Sequence, residues 1–284
     1  MWRTATMAAM WIRSLPLLLC TVALLTGCAA QAPAPAPLSA PARQALLPAD
    51  VLLLGEQHDA RQHQQWERAT VQWLAQRGQL AALVMEMAEA GHSTQGLAPG
   101  ASEAAVQSAL GWSDAAWPWA AYGPVAMAAV RAGVPVLGGN LPRQALKAAM
   151  ADAALDAQLP AAARARQLEA VRDGHCGLLP EEMLPGMVRV QIARDLQLAR
   201  TAAAAHRPGQ VVLVVAGFGH VQRGLGVPQH LPGDLVSKVA IAQAGKAPKA
   251  IKNEADWVEE TAPLPTHDAC ADLRRQWPAQ AAKP

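Results

Sequence analysis

The 284-residue chain is 52% hydrophobic and nearly charge-balanced, with 24 Lys and Arg against 22 Asp and Glu for a formal net charge of +2. That balance excludes the broad basic surface of a nucleic-acid-binding protein, and the length suits one sizeable α/β domain, or one domain carrying an insertion, around a single core. Aromatic residues are few and skewed, with nine Trp but one Tyr and one Phe, so any chemistry that needs a phenol falls to a single side chain.

In chain order, the first element is a basic stretch with Arg3 and Arg13 followed by an apolar run from Leu15 to Leu25. The run is too short and wrongly flanked for a transmembrane helix and reads as an export signal over residues 1–27. Leu25-Thr26-Gly27-Cys28 resembles the lipobox of bacterial lipoproteins, which implies cleavage before Cys28 and acylation of its thiol; an ordinary secretory signal is the alternative. Ala29 and Ala30, rather than an acid, follow the cysteine. In Gram-negative lipoproteins that pattern implies sorting to the outer membrane, on its periplasmic or surface face, with the N-terminal lipid as the membrane contact. Removing the leader takes two arginines and no acid, which leaves the mature chain neutral. Residues 28–48 alternate Ala and Pro and are expected to form a stiff, extended tether of about 3 Å per residue. The domain then occupies 49–284.

Four runs rich in Val and Leu have the character of parallel strands buried on both faces: VLLLGE from Val51, ALVMEM from Ala82, VPVLGGN from Val134 and VVLVVAGFGH from Val211. Between the first two, Asp59 and Gln62 are placed to form a capping box for a helix to Gln76, with Trp66, Thr70, Trp73 and Leu74 on one face and Gly78 just past its end. A second helix is expected from Pro124 to Gly133. Residues 142–205 are helical in pattern, with breaks at Pro160, Gly174, Pro180 and Pro185, and form more helix than one crossover requires. They read as a helical insertion before the strand at Val211. LVSKVAIAQ, 235–243, is expected as an edge strand and the remainder as an irregular tail. The alternation of strand and helix predicts an α/β fold with a mostly parallel sheet flanked by helices.

Each of the four strands ends in polar residues on the side where a parallel sheet places its ligands: Glu56 and His58, Glu86, Asn140, and His220. Glu56 and His58 are two apart, so an extended chain projects them to the same side. Any one of these residues alone is more often a cap or a solvated loop residue; together they predict one polar site. Outside the cytoplasm, the two cysteines beyond the lipobox, Cys176 and Cys270, most simply pair as a disulfide. Free or metal-binding thiols are the alternative, with no Cys-x-x-Cys spacing to support them.

GEQHDARQH, Glu86 in VMEM, WPWAAYGPV, GGNLPR, HCGLLPEEM, QIARD and AGFGHV, from about Leu47 to the tail, together resemble the ChaN-like haem-binding lipoproteins. That family belongs to a wider group with TIKI and TraB proteins and erythromycin-esterase-like hydrolases. The shared pair of Gly-x-x-His motifs stands here as Gly55-Glu56-Gln57-His58 and Gly217-Phe218-Gly219-His220. Ala60 and Arg61 replace the Asn-Pro common after the first motif's Asp, and Gln64 stands where a second histidine beside His63 is usual. The resemblance implies binding of haem or a related iron porphyrin in iron acquisition, with Tyr122 as the phenolate ligand, Trp112, Trp117 and Trp119 as walls, His63 or Arg143 at a propionate, and His58 among the cofactor-binding residues. It leaves room for a homodimer. A buried hydroxyl donor is the plainer reading of Tyr122, and packing the plainer reading of the tryptophans. The hydrolytic relatives imply the alternative: His58 as general base, Glu56 or Glu86 fixing its tautomer, His220 binding metal or stabilising charge, Arg194 at an oxyanion, and Glu56, His58, Glu86 and His220 as ligands to a divalent metal. An adhesive or scaffold lipoprotein with a degenerate pocket is a third reading.

Overall fold

The computed structural model describes residues 37–281. The leader, the lipobox with Cys28 and the first part of the tether lie outside the described residues.

Val51–Glu56 (β1), Leu80–Glu89 (β2), Val136–Asn140 (β3), Val211–Gly217 (β4), Ser237–Ala244 (β5) and Trp257–Thr261 (β6) form one all-parallel sheet in the order β3-β2-β4-β1-β5-β6. Every residue of β1 and β4 is buried, because helices cover both faces. Side chains alternate between those faces. Leu52 and Leu54 join Leu213 and Val215 in a core completed by helices Ala40–Leu46 (α1), Arg61–Ala75 (α2), Glu103–Ala109 (α3) and Trp119–Arg131 (α4). Val51 and Leu53 point the other way with Val212 and Val214, onto Leu198, Ala199 and Ala202. Those three belong to the long helix Leu184–Ala204 (α7), which follows Leu146–Ala151 (α5) and Ala161–Gly174 (α6). Together α6 and α7 enclose a smaller core of Leu159, Val171, Val188 and Ile192. Short helices Phe218–Val221 (α8) and Lys249–Asn253 (α9) and a terminal helix, Ala269–Ala281 (α10), complete the chain.

From β1 the chain crosses through α2 on one face, and from the adjacent β4 it leaves through α8 on the other. The gap between the ends of β1 and β4 is therefore the sheet's switch point, where diverging connections open a crevice.

The structure corrects several expectations. Within the expected tether, residues 40–46 form α1, capped by the Ser39 hydroxyl, and Leu38, Ala42 and Leu46 are wholly buried in the main core. Three apolar side chains at this spacing outweigh the local Ala/Pro bias, since each contributes about 1–3 kcal/mol on burial. Asp59 and Gln62 do not cap α2; Ala60 is its N-cap and lacks a side-chain bond. The His63 imidazole takes over instead, accepting the Gln57 N–H at 3.0 Å. Helix α4 begins five residues before Pro124, because the Asp114 carboxylate accepts the Trp119 N–H at 2.7 Å and starts the helix there. Helix α3, capped by Ser102, escaped the sequence reading. Finally, β5 is an interior strand: β6 pairs outside it, and α9 and α10 replace the irregular tail. The polar, half-exposed WVEET pattern of β6 hides a strand whose role is to cover an edge.

Cys176 and Cys270 are joined by a disulfide that ties α10 to the loop after α6, across a sequence separation of 94. A loop of that length restricts the unfolded chain by roughly 4–5 kcal/mol in the chain-entropy model. Cys270→Ser is expected to lower stability by about 2–4 kcal/mol, and reductant to lower the wild-type melting temperature without affecting the variant. Denaturant titration with and without dithiothreitol measures both.

Candidate functional site

Glu56 continues the alternation of Leu52 and Leu54, so its carboxylate enters the layer between the sheet and α2 and α4. It is wholly buried there. Three donors meet it: the Tyr122 hydroxyl at 2.7 Å, His58 Nδ1 at 2.8 Å and the Gln64 amide. A carboxylate can only accept, so the proton of His58 resides on Nδ1. Burial works against the His58 imidazolium, but the Glu56 hydrogen bond and the charges of Glu86 and Glu56 outweigh it, leaving the pKa above its ordinary value. Tyr122 shifts upward, through burial first and the adjacent Glu56 charge second, so its phenol stays protonated.

Glu67, on the inner face of α2, is also wholly buried, and neither carboxyl oxygen has a partner. Burial first and the Glu56 charge second hold it well above the carboxylate range, as a neutral acid. It is a residue the sequence reading missed; a glutamate one turn from His63 and from Val71, on the apolar stripe of α2, was the available signal.

Glu86 has the opposite parity, following Val84 onto the α7 face. It lies within β2 rather than at its end, at the point where the pairing with β3 slips and β4 terminates. Its carboxylate accepts the Gly217 N–H at 2.7 Å and lies 3.5 Å from His220 Nε2, while the Asn140 amide donates to the Glu86 carbonyl at 2.9 Å. The other nitrogen of His220 is 2.6 Å from Asp195 of α7, a partner that the reading of QIARD passed over in favour of Arg194. Burial opposes charging of His220, yet Glu86 and then Asp195 raise its pKa to about 9. Burial raises Asp195 to about 6, partly offset by His220. Glu86 itself is pulled below its ordinary value: burial would raise it, but His220, His58 and the Gly217 N–H prevail. At neutral pH, His220 is an imidazolium clamped between two carboxylates.

Gly217 joins the halves. A Cβ there would stand 2.7 Å from His58 Nε2 and 3.6 Å from the nearer Glu86 oxygen, so only glycine lets the imidazole lie against the end of β4. The expected quartet of Glu56, His58, Glu86 and His220 thus comes together at the switch point. The His58 side chain is 41% exposed, which makes it the solvent-facing member of a buried network. Trp117 stands edge-on to both His58 and Tyr122, with ring centroids 4.9 and 5.7 Å away. Trp112 donates to the Trp117 carbonyl, and Trp119 turns away to Glu103. Of the three tryptophans, Trp117 is therefore the one that borders His58.

Other assignments change. His63 is fully buried between Gln57 and Thr261, and burial pushes its pKa down to about 4, so it is a neutral internal strut with no charge for a propionate. Arg143 is exposed after β3 and reaches none of the quartet. Tyr122 is 1% exposed and donates to Glu56, a position that presents no oxygen to a ligand outside. Among the described residues, no group of three or more His, Cys, Asp and Glu side chains is arranged to hold a metal ion. The four expected metal donors are turned to one another and to backbone instead. A cavity of about 740 Å³ lies elsewhere, along the outer edge of β3 between the 90–97 loop and the last turns of α7.

A family model described as "Haem-binding uptake, Tiki superfamily, ChaN" matches residues 42–231. The chain belongs to this ChaN family. A solved structure described as cofacial heme binding to ChaN of Campylobacter jejuni shares the fold, with a TM-score of 0.59 and 22% identity over 74% of this chain and 86% of that one. Comparison with curated proteins gave no match. The matched segment of this ChaN-family chain runs from α1 to just past α8 and so contains both half-networks, while β5, β6 and the disulfide-bonded α10 lie beyond it.

Two outcomes follow from the buried charges. The folded state holds the His220 proton more tightly than the unfolded chain, so that contribution is complete below pH 6.5 and disappears as pH rises through about 9. Melting temperature is expected to fall across that window in the wild type and to fall less in His220→Gln, as scanning calorimetry at a series of pH values will show. Glu67→Gln preserves the neutrality and volume of the side chain and is expected to change stability by less than about 1 kcal/mol at pH 7, whereas Glu67→Ala, which leaves a void, costs about 2 kcal/mol or more in urea titration.

Proposed function

We propose that this protein binds haem, or a related iron porphyrin, at the rim above β1 and β4, with His58 as the residue that would hold the iron. The observation that carries the reading is the state of that imidazole. It is half exposed, its Nδ1–H is held by the buried Glu56, and its Nε2 makes no hydrogen bond among the described residues. Iron-binding histidines are commonly prepared in this way, because a carboxylate on the far nitrogen fixes the tautomer and strengthens the donor. Trp117 beside His58 supplies apolar surface for a flat ring. Membership in a family described as haem-binding supports the same ligand, as does the haem named for the Campylobacter jejuni ChaN. Bound haem would supply a ferric centre. The protein's part is to orient one nitrogen, keep Tyr122 protonated as a support for Glu56, and exclude water beneath His58.

The residues present fit an imidazole-ligated porphyrin better than a phenolate-ligated one. Ligation by Tyr122 would require its hydroxyl to leave Glu56 and to ionise beside that carboxylate, against both burial and charge. The hydrolytic reading is weaker, since His220 is already an imidazolium paired with Glu86 and Asp195. The export signal and lipobox support a location at the outer membrane, anchored through Cys28, where haem capture would serve iron acquisition.

Haemin titration followed in the Soret region tests the proposal. Wild type and Tyr122→Phe are expected to give the same Soret maximum and similar affinity, while His58→Ala shifts the band and weakens binding at least about tenfold. A spectrally silent wild type defeats haem binding. A band altered by Tyr122→Phe and not by His58→Ala transfers the ligand role to the phenol.

A further inference from the structure

Arg194 is the charged side chain of the rim that the network above does not use. Its place follows from α7: Leu198 packs on β3 where a Cβ on Gly139 would strike it, and Arg194 stands one turn earlier on the same stripe, toward the strand's end at Asn140. From there its charge reaches Glu86, Asp195 and His220. Several other arginines of the domain are engaged: Arg166 by Glu254, Arg172 by Glu169 and Glu181, Arg189 by Asp156, and Arg223 by Asp256. Arg194 makes no hydrogen bond among the described residues, and its Nε is buried without a partner. Asn140, at the end of the neighbouring strand, likewise has a buried Oδ1 with no donor, although its amide nitrogen is fixed on the Glu86 carbonyl.

A buried guanidinium N–H without an acceptor is costly, and a planar fork of donors is matched by a carboxylate, which can bind it through two parallel hydrogen bonds. Glu86 and Asp195 do not fill that role, because each is turned to His220 or to the Gly217 amide. An acceptor for that N–H is left to a ligand, and an anion at the rim near Glu86 and His220 would supply it.

We infer that Arg194, at the end of β3 beside Asn140, is the carboxylate-recognition residue of the ligand site and receives a propionate of the porphyrin. This rests on the haem reading and adds a specificity: the site selects porphyrins that carry a free carboxylate. It also replaces His63 and Arg143 as the groups expected to meet that carboxylate.

The test compares haemin with haemin dimethyl ester, whose propionates are capped, on the full chain purified in detergent. Wild type is expected to bind haemin at least about tenfold more tightly than the ester. Arg194→Gln should lose that factor for haemin while leaving ester affinity unchanged, so that the preference collapses; Arg194→Lys should retain part of it. A merely structural role for Arg194 would weaken both ligands alike and preserve their ratio, which overturns the inference. Equal wild-type affinity for the two ligands also overturns it while leaving haem binding intact, and that comparison needs no variant to fold. If the wild type binds neither ligand, the haem reading itself fails.

Discussion

A carboxylate held without water between a sheet and two helices governs the rest of this structure. An unpaired Glu56 in that position would cost several kcal/mol, so the fold is acceptable only if donors from separate segments arrive together. They come from the loop after β1 and from the fourth residues of α2 and of α4, as His58, Gln64 and Tyr122. Glu67 can lie nearby only by remaining protonated. The requirement aligns α2 and α4 with the end of β1, and it also leaves His58 with one nitrogen held and the other free. Stability and the state of the exposed imidazole therefore rest on the same hydrogen bonds.

The second half of the site obeys different electrostatics. Around Glu56 a single charge is satisfied mainly by neutral donors, whereas around Glu86 an imidazolium lies between two acids. The difference arises from strand parity, which sends Glu56 to the α2 and α4 layer and Glu86 to the α7 layer. The halves meet only where β4 ends in a glycine, and His58 occupies that junction. A ligand resting on His58 would therefore be coupled to both layers of the domain.

Several departures from the sequence reading share a cause. His63, Tyr122 and Glu67 carry side chains that chemistry uses readily, but each lies on an inward stripe of a helix and is committed to the interior. In the opposite sense, Ala40–Leu46 has the composition of a tether, yet buries its apolar residues in the main core. Residue type indicated what these side chains were capable of; burial decided which of them face a ligand.

The sequence by itself determined the α/β class, the four core strands, the Cys176–Cys270 pair and the convergence of Glu56, His58, Glu86 and His220. These depend on local hydrophobic runs and on the rule that parallel strands end at a common rim. It could not reveal the Asp195 partner, the neutral Glu67, the unpaired Arg194 or the outer strand β6. Those depend on which helix face meets which strand and on how much water remains there, and both are settled by packing between segments far apart in the chain.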